Sequence, residues 1–211
     1  MTGQSRIIDV DSGGSALIQR PGVILADPPW MESGGGHRGA QNHYPLMMTE
    51  DIAKLPVGQL AAANAHLWLW ATDNFLPDAL HVARAWGFRY VCSWVWVKPS
   101  KGLGQYARKM HEQLLLCSRG ASSVPEKAWP QSVIFAPKGA HSEKPGAVYE
   151  LIEHVSAGRR GPRVELFARA ARDGWEALGN QAPSAGGADI ADQLWSRIDG
   201  RPARPTLALG L

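Results

Sequence analysis

Apolar positions along the chain fall into short dense runs that alternate with stretches of helical spacing. Gly22-Val-Ile-Leu-Ala26 is a continuous apolar run, stopped by Asp27-Pro28-Pro29. It predicts a buried parallel strand with Asp27 at its carboxyl end. Thr49-Glu50-Asp51-Ile52 opens a short helix by its N-cap chemistry. His66–Ala71 is a second strand. Leu76, Ala79, Leu80, Ala83 and Trp86 recur at helical spacing, and Gly87 fits the stop. Arg89–Val97 is a third strand, with Trp94 and Trp96 on one face. Glu112–Ser118 is a fourth, and Ser132–Phe135 a short fifth. Pro145 begins a helix carrying Val148, Leu151, Ile152 and Val155, with Gly158 after it. Arg163–Phe167 and Trp175–Leu178 are the last strands. The alternation predicts an α/β sheet with helices on both faces. Ligands of such sheets bind outside the carboxyl ends of the strands, where Asp27 falls.

The intervening polar stretches set the organisation. Residues 1–20 read as a loose lead-in, 21–182 as one domain, and 183–211, rich in Ala, Gly, Pro and Arg, as a flexible tail. Residues 31–46 form a glycine-rich loop and 98–110 a basic one, and loops of this length are usually binding elements. With 211 residues, 45% hydrophobic and 19% charged, the chain is neither disordered throughout nor too small for a core. No run of about 18 apolar residues predicts a membrane helix, and the N-terminus lacks the apolar core of a signal peptide. Cys92 and Cys117 sit in apolar runs and read as reduced, buried thiols. A net charge of +3 leans towards a polyanionic partner. Nine tryptophans fit either base stacking or the core.

Asp27-Pro28-Pro29-Trp30 carries the most specific chemistry. Two prolines force extended backbone after the strand. Neither has an N–H, so their carbonyls are read as rigid outward acceptors. Asp27 adds a carboxylate and Trp30 a flat apolar face. Together they suit an –NH2 group on an aromatic ring, such as adenine N6. That nitrogen's lone pair is delocalised, and acceptors on its N–H bonds localise it. The carboxylate is a weak base, so its role is orientation and charge stabilisation.

Ala26-Asp27-Pro28-Pro29-Trp30 resembles the catalytic motif of the MT-A70 family of S-adenosylmethionine-dependent adenine N6-methyltransferases. Tyr44-x-x-Met47-Met-Thr-Glu-Asp-Ile52, His111-Glu-Gln-Leu-Leu-Leu-Cys-Ser-Arg-Gly120, His141-Ser-Glu-Lys-Pro145, and Glu165-Leu-Phe-Ala-Arg169 with Gly174-Trp175 and Leu178-Gly-Asn-Gln181 resemble further family elements, in family order. The resemblance implies a Rossmann-like class I methyltransferase sheet in permuted (β-class) motif order, with the catalytic motif ahead of the cofactor strand. It implies S-adenosylmethionine as methyl donor. By position, Asp27 binds the target amine close to the cofactor's methionine part. Pro28 supplies a carbonyl, Pro29 completes the motif, and Trp30 packs beside the adenine. Tyr44 contacts substrate, Arg169 contacts the cofactor, and Asn180 and Gln181 bind its ribose and adenine. Lys144 falls where related enzymes bring a Lys-Pro helix start to the cofactor.

Three departures stand out. No G-x-G-x-x-G turn follows the 163–167 strand, so polar side chains must hold the cofactor. Where some members carry a lysine for the cofactor carboxylate this chain has His111, and Lys109 is the alternative holder. An asparagine of the eukaryotic members falls on Arg172.

His37 and His43 flank the first loop without metal-ligand spacing, so no metal is expected. Gly34-Gly35-Gly36 reads as loop mobility. Lys98, Lys101, Arg108 and Lys109, with Tyr106 interleaved, read as a nucleic-acid contact. Arg159, Arg160 and Arg163 fit a solvated face or a phosphate contact equally. The expected activity is direct methyl transfer to N6 of a flipped-out or single-stranded adenine in DNA. RNA as substrate, or a non-catalytic subunit, are the alternatives. Few residues are spare for reading bases, so the two loops, the tail or a homodimer partner must do it. The expected setting is the cytoplasm of a bacterial or phage-infected cell.

Overall fold

A computed structural model describes residues 19–31, 46–99, 106–121, 129–137, 139 and 143–203. Most of the lead-in, Tyr44, Lys101 and nearly all of the first loop lie outside these residues. In chain order the elements are β1 (Val23–Ala26), α1 (Thr49–Ala53), α2 (Val57–Leu60), β2 (Ala65–Ala71), a 3-10 turn (Asp73–Phe75), α3 (Leu76–Ala85), β3 (Arg89–Val97), β4 (His111–Arg119), β5 (Val133–Phe135), α4 (Ala147–Val155), β6 (Arg163–Leu166), β7 (Trp175–Leu178) and α5 (Ile190–Asp199).

Seven strands form one sheet in the order β5-β3-β4-β2-β1-β6-β7. β4 runs antiparallel to both of its neighbours, and the other pairings are parallel. From β1 the chain passes to β2 on one side, while β6 and β7 complete the sheet on the other. The order therefore reverses between β1 and β6, and a crevice opens at their carboxyl ends. Asp27 leaves β1 at that crevice and Phe167 leaves β6 there.

Period-two alternation divides the strands between two apolar layers. Ile24, Ala26, Leu67, Leu69, Leu115, Val164 and Leu166 pack with α1, α2, α3 and α5. Val23, Leu25, Trp68, Trp70, Trp94, Trp96, Leu114 and Leu116 face α4 through Val148, Ile152 and Val155. Helices thus cover both faces, as the sequence pattern predicts. The four strand tryptophans are core material: Trp68 meets Trp94 at 5.1 Å, and Trp70 meets Trp96 edge-on at 6.0 Å. Cys117 is buried, and burial pushes its thiol up to about 12. Among the described residues no helix is long and apolar enough to cross a membrane.

Four sequence expectations change. Residues 190–199 are a helix, not flexible tail: Asp189 caps it by accepting the Asp192 N–H at 2.9 Å, Gly200 ends it with φ +70°, and Ile190 and Leu194 enter the core. Thr49 is not the N-cap of α1; Met48 holds that position, and the Thr49 hydroxyl instead donates to Asp78 on α3 at 2.7 Å. α4 starts at Ala147, with the Pro145 carbonyl accepting the Val148 N–H. β6 ends at Leu166 because Phe167 turns to φ +62°.

Candidate active site

The corner after β1 is tied down by its own backbone. The Pro28 carbonyl accepts the Trp30 N–H at 2.9 Å, and the Pro29 carbonyl accepts the Met47 N–H at 2.8 Å. The two carbonyls are thus not vacant acceptors as the sequence suggested; each keeps one lone pair beyond these bonds. Trp30 stacks on Phe75 at 5.6 Å and 15°, and its indole N–H donates to the Trp70 carbonyl at 3.3 Å. The ring is held flat from behind.

Asp27 sits between a cationic side and an open cleft. Lys144 Nζ lies 2.6 Å from Asp27 Oδ2 and 3.4 Å from Glu112 Oε2. Lys98 hydrogen-bonds the other Glu112 oxygen. Burial opposes charge on Lys144, but Asp27 and Glu112 outweigh it and hold the ammonium above its ordinary range. Burial likewise opposes charge on Glu112, and its two lysines outweigh that and bring the carboxyl below its usual range.

The cleft is lined by Asp27, Pro29, Met47, Phe167, Arg169, Asn180 and Gln181. Phe167 is the one non-glycine residue with positive φ among those described, and such strain marks functional sites. Behind it, Gly179 approaches the Ala168 backbone so closely that a Cβ would lie 2.7 Å from its nitrogen. Gln193 of α5, 6% exposed, accepts the Gly179 N–H and donates to the Gly179 carbonyl. Asn180 then accepts the Ile190 N–H at 2.8 Å. Helix α5 therefore positions the Gly179-Asn180-Gln181 turn.

A second opening shares Asp27, Phe167 and Arg169 and reaches Trp70, Lys144, Tyr149, Glu165 and Arg172. Tyr149 donates to both Glu165 oxygens at 3.0 Å, and Arg172 lies over the Tyr149 ring at 3.7 Å. Burial raises the Glu165 carboxyl above its usual range, despite the bond from Tyr149. Arg172 belongs to this cluster.

The structure therefore brings together Asp27, Pro29, Lys144, Arg169, Asn180 and Gln181, with Trp30 alongside. Lys109 and His111 both turn to Asp73, at 3.9 and 3.0 Å, and neither lines the cleft. Lys98, expected at the substrate, has a side chain 16% exposed that pairs with Glu112. Arg108 and Tyr106 are exposed. Sequence reasoning missed Glu112, Tyr149, Glu165 and Phe167. Glu112 and Glu165 lay inside quoted segments, but as strand residues they gave no separate signal.

The walls of this cleft suit S-adenosylmethionine, the methyl donor that the sequence resemblance implies. Met47 and Phe167 are apolar surfaces, Asn180 and Gln181 carry amides, and Arg169 is cationic. This donor set fits a ligand with a base, a sugar and a carboxylate.

The MT-A70 family model matches residues 21–181. The chain is 28% identical over 182 residues to the type II methyltransferase M.MunI of Mycoplasma sp, an alignment covering 76% of this chain and 77% of the relative. It is 27% identical over 181 residues to the N(6)-adenine-specific methyltransferase METTL4 of Mus musculus, covering 75% of this chain and 37% of the relative. It is 25% identical over 176 residues to the N(6)-adenosine-methyltransferase subunit METTL3 of Danio rerio, covering 79% and 29%. The chain thus spans most of the bacterial relative's length but only 37% and 29% of these two animal relatives.

Proposed function

The chain belongs to the MT-A70 family of adenine methyltransferases, and we propose that it methylates N6 of adenine in DNA. One observation carries the reading: the Asp27 carboxylate stands on a backbone-fixed corner at the strand-order reversal, with Lys144 on one oxygen and the cleft beside it.

S-adenosylmethionine supplies an electrophilic methyl group on its sulfonium. Phe167 and Met47 would provide apolar contact for it, while Arg169, Asn180 and Gln181 would bind its polar parts. Asp27 would accept an N–H of the target amine and so localise its lone pair for attack, and the extra proton on nitrogen would leave to solvent after transfer. The carboxylate then faces the positive charge that develops on nitrogen. Trp30, backed by Phe75, offers stacking surface to the adenine. Tyr44 and the basic residues Lys101 and Arg108 serve the substrate strand, and Lys109 shares that loop. His111 is assigned to the Asp73 cluster rather than to the cofactor.

The choice of DNA rests on the extent shared with M.MunI; the METTL3 relative, named for adenosine, matches over a much smaller part of its length. The test offers matched single-stranded DNA, duplex DNA and single-stranded RNA with methyl-labelled S-adenosylmethionine and reads N6-methyladenine by mass spectrometry. Labelling of DNA is expected. Preference for RNA overturns the substrate, and no labelling of any polynucleotide overturns the activity.

A further inference from the structure

Four side chains form a row of alternating charge along the sheet rim: Lys98 after β3, Glu112 on β4, Lys144 before α4, and Asp27 after β1. Lys144 bridges Glu112 Oε2 at 3.4 Å and Asp27 Oδ2 at 2.6 Å, and Lys98 bonds Glu112 Oε1. The row is shielded at its inner members, where the Glu112 and Lys144 side chains are 12% and 13% exposed, and opens at Asp27, at 31%. Two indoles lie against it. Lys144 Nζ is 5.2 Å from the Trp70 ring and Lys98 Nζ is 4.6 Å from the Trp96 ring. Glu112 reaches this rim because β4 is antiparallel: its amino end lies where the other strands present their carboxyl ends.

We propose that Glu112 is a positioning residue for methyl transfer. It fixes the Lys144 ammonium on Asp27 Oδ2 and so leaves Oδ1 as the oxygen that meets the amine. The proposal rests on the reading of Asp27 as the amine's acceptor. Two physical effects support it. A lysine side chain has large rotamer freedom, and a second carboxylate on the far side of the ammonium removes it. The charges also balance: two lysines face two carboxylates, so the row is neutral. Without the Glu112 charge, one net positive charge would stand beside a nitrogen that becomes positive during transfer.

The test is steady-state methylation of an adenine oligonucleotide by wild type, Glu112→Gln, Lys144→Met and the double variant. Glu112→Gln should lower kcat about tenfold or more, with KM for both substrates within about twofold. Glu112→Asp should recover part of the loss. In the Lys144→Met background, Glu112→Gln should cost much less than it does alone, because its positioning effect acts through that ammonium. A Glu112→Gln kcat within about twofold of wild type overturns the proposal. So does a loss that multiplies with that of Lys144→Met. If Glu112→Gln does not fold, Lys98→Met, which removes only the outer anchor, decides: a reduced kcat supports positioning and an unchanged kcat refutes it. A wild type that labels no adenine refutes the underlying reading of Asp27, and this proposal with it, before any variant is compared.

Discussion

His66 makes the fold sensitive to acid in a calculable way. It opens the middle of the sheet on β2 and is 4% exposed. Its Nδ1 lies 2.9 Å from Ser156 Oγ, which also accepts the Trp68 indole N–H at 3.0 Å. Burial first, and the Arg159 charge second, lower the His66 pKa from 6.5 to about 4. As pH falls, the unfolded chain therefore takes up this proton before the folded one does. The stabilisation is complete above the unfolded value and is lost as pH falls from there towards 4. Between pH 7.5 and 5.0 the loss spans roughly 1.5 pKa units, which is about 2 kcal/mol. Urea unfolding of wild type and His66→Gln across this range isolates the effect, because every other group titrates in both proteins. The stability advantage of wild type over the variant should shrink by about 2 kcal/mol on going to pH 5.0. A difference that stays constant with pH would refute the reasoning.

Other substitutions probe the site and its supports. Asp27→Ala should abolish methylation while calorimetry still detects S-adenosylmethionine; complete loss of binding would make Asp27 chiefly a cofactor ligand. Gly179→Ala would put a Cβ 2.7 Å from backbone nitrogen and 2.8 Å from backbone oxygen of Ala168; cofactor affinity should fall together with thermal stability, and unchanged affinity would show that the turn can shift freely. Leu194→Ala on α5 removes a fully buried side chain and should cost about 2–5 kcal/mol in denaturant unfolding, whereas a change near zero would detach α5 from the core. Replacing Lys101, Arg108 and Lys109 together should weaken DNA binding and flatten its salt dependence, and an unaltered salt slope would remove that loop from the interface.

The strand framework was legible because burial on both faces writes itself as dense apolar runs, as at Val23–Ala26 and Ala65–Ala71. Asp27 was legible for a related reason: two prolines must end a strand, and the carboxylate before them must stand at its rim. Helix α5 was not, although Ile190, Leu194 and Ile198 recur every four residues; alanine, glycine and proline on either side diluted the pattern. Its loss hid Gln193, the residue that builds the Asn180 turn from behind. The strand direction of β4 was equally hidden, since an apolar run does not say which way it points. Without that direction Glu112 had no place near Asp27, and Lys98 looked like a surface cation. Lys109 and His111 gathered on Asp73 through a contact between β2's exit and β4's entry, which no local spacing encodes.

The neighbours of β1 also carry a consequence for biosynthesis. One edge of this central strand pairs with β2 from His66 onward, but the other waits for β6, which begins at Arg163. At common translation speeds those roughly hundred residues take about 5 to 20 seconds to appear. Throughout that interval the nascent chain carries a naked apolar edge, the kind of surface that attracts holding chaperones or mispairs with other chains. Yield in cells should then depend on ribosome pace and growth temperature more steeply than the stability of the finished molecule would suggest.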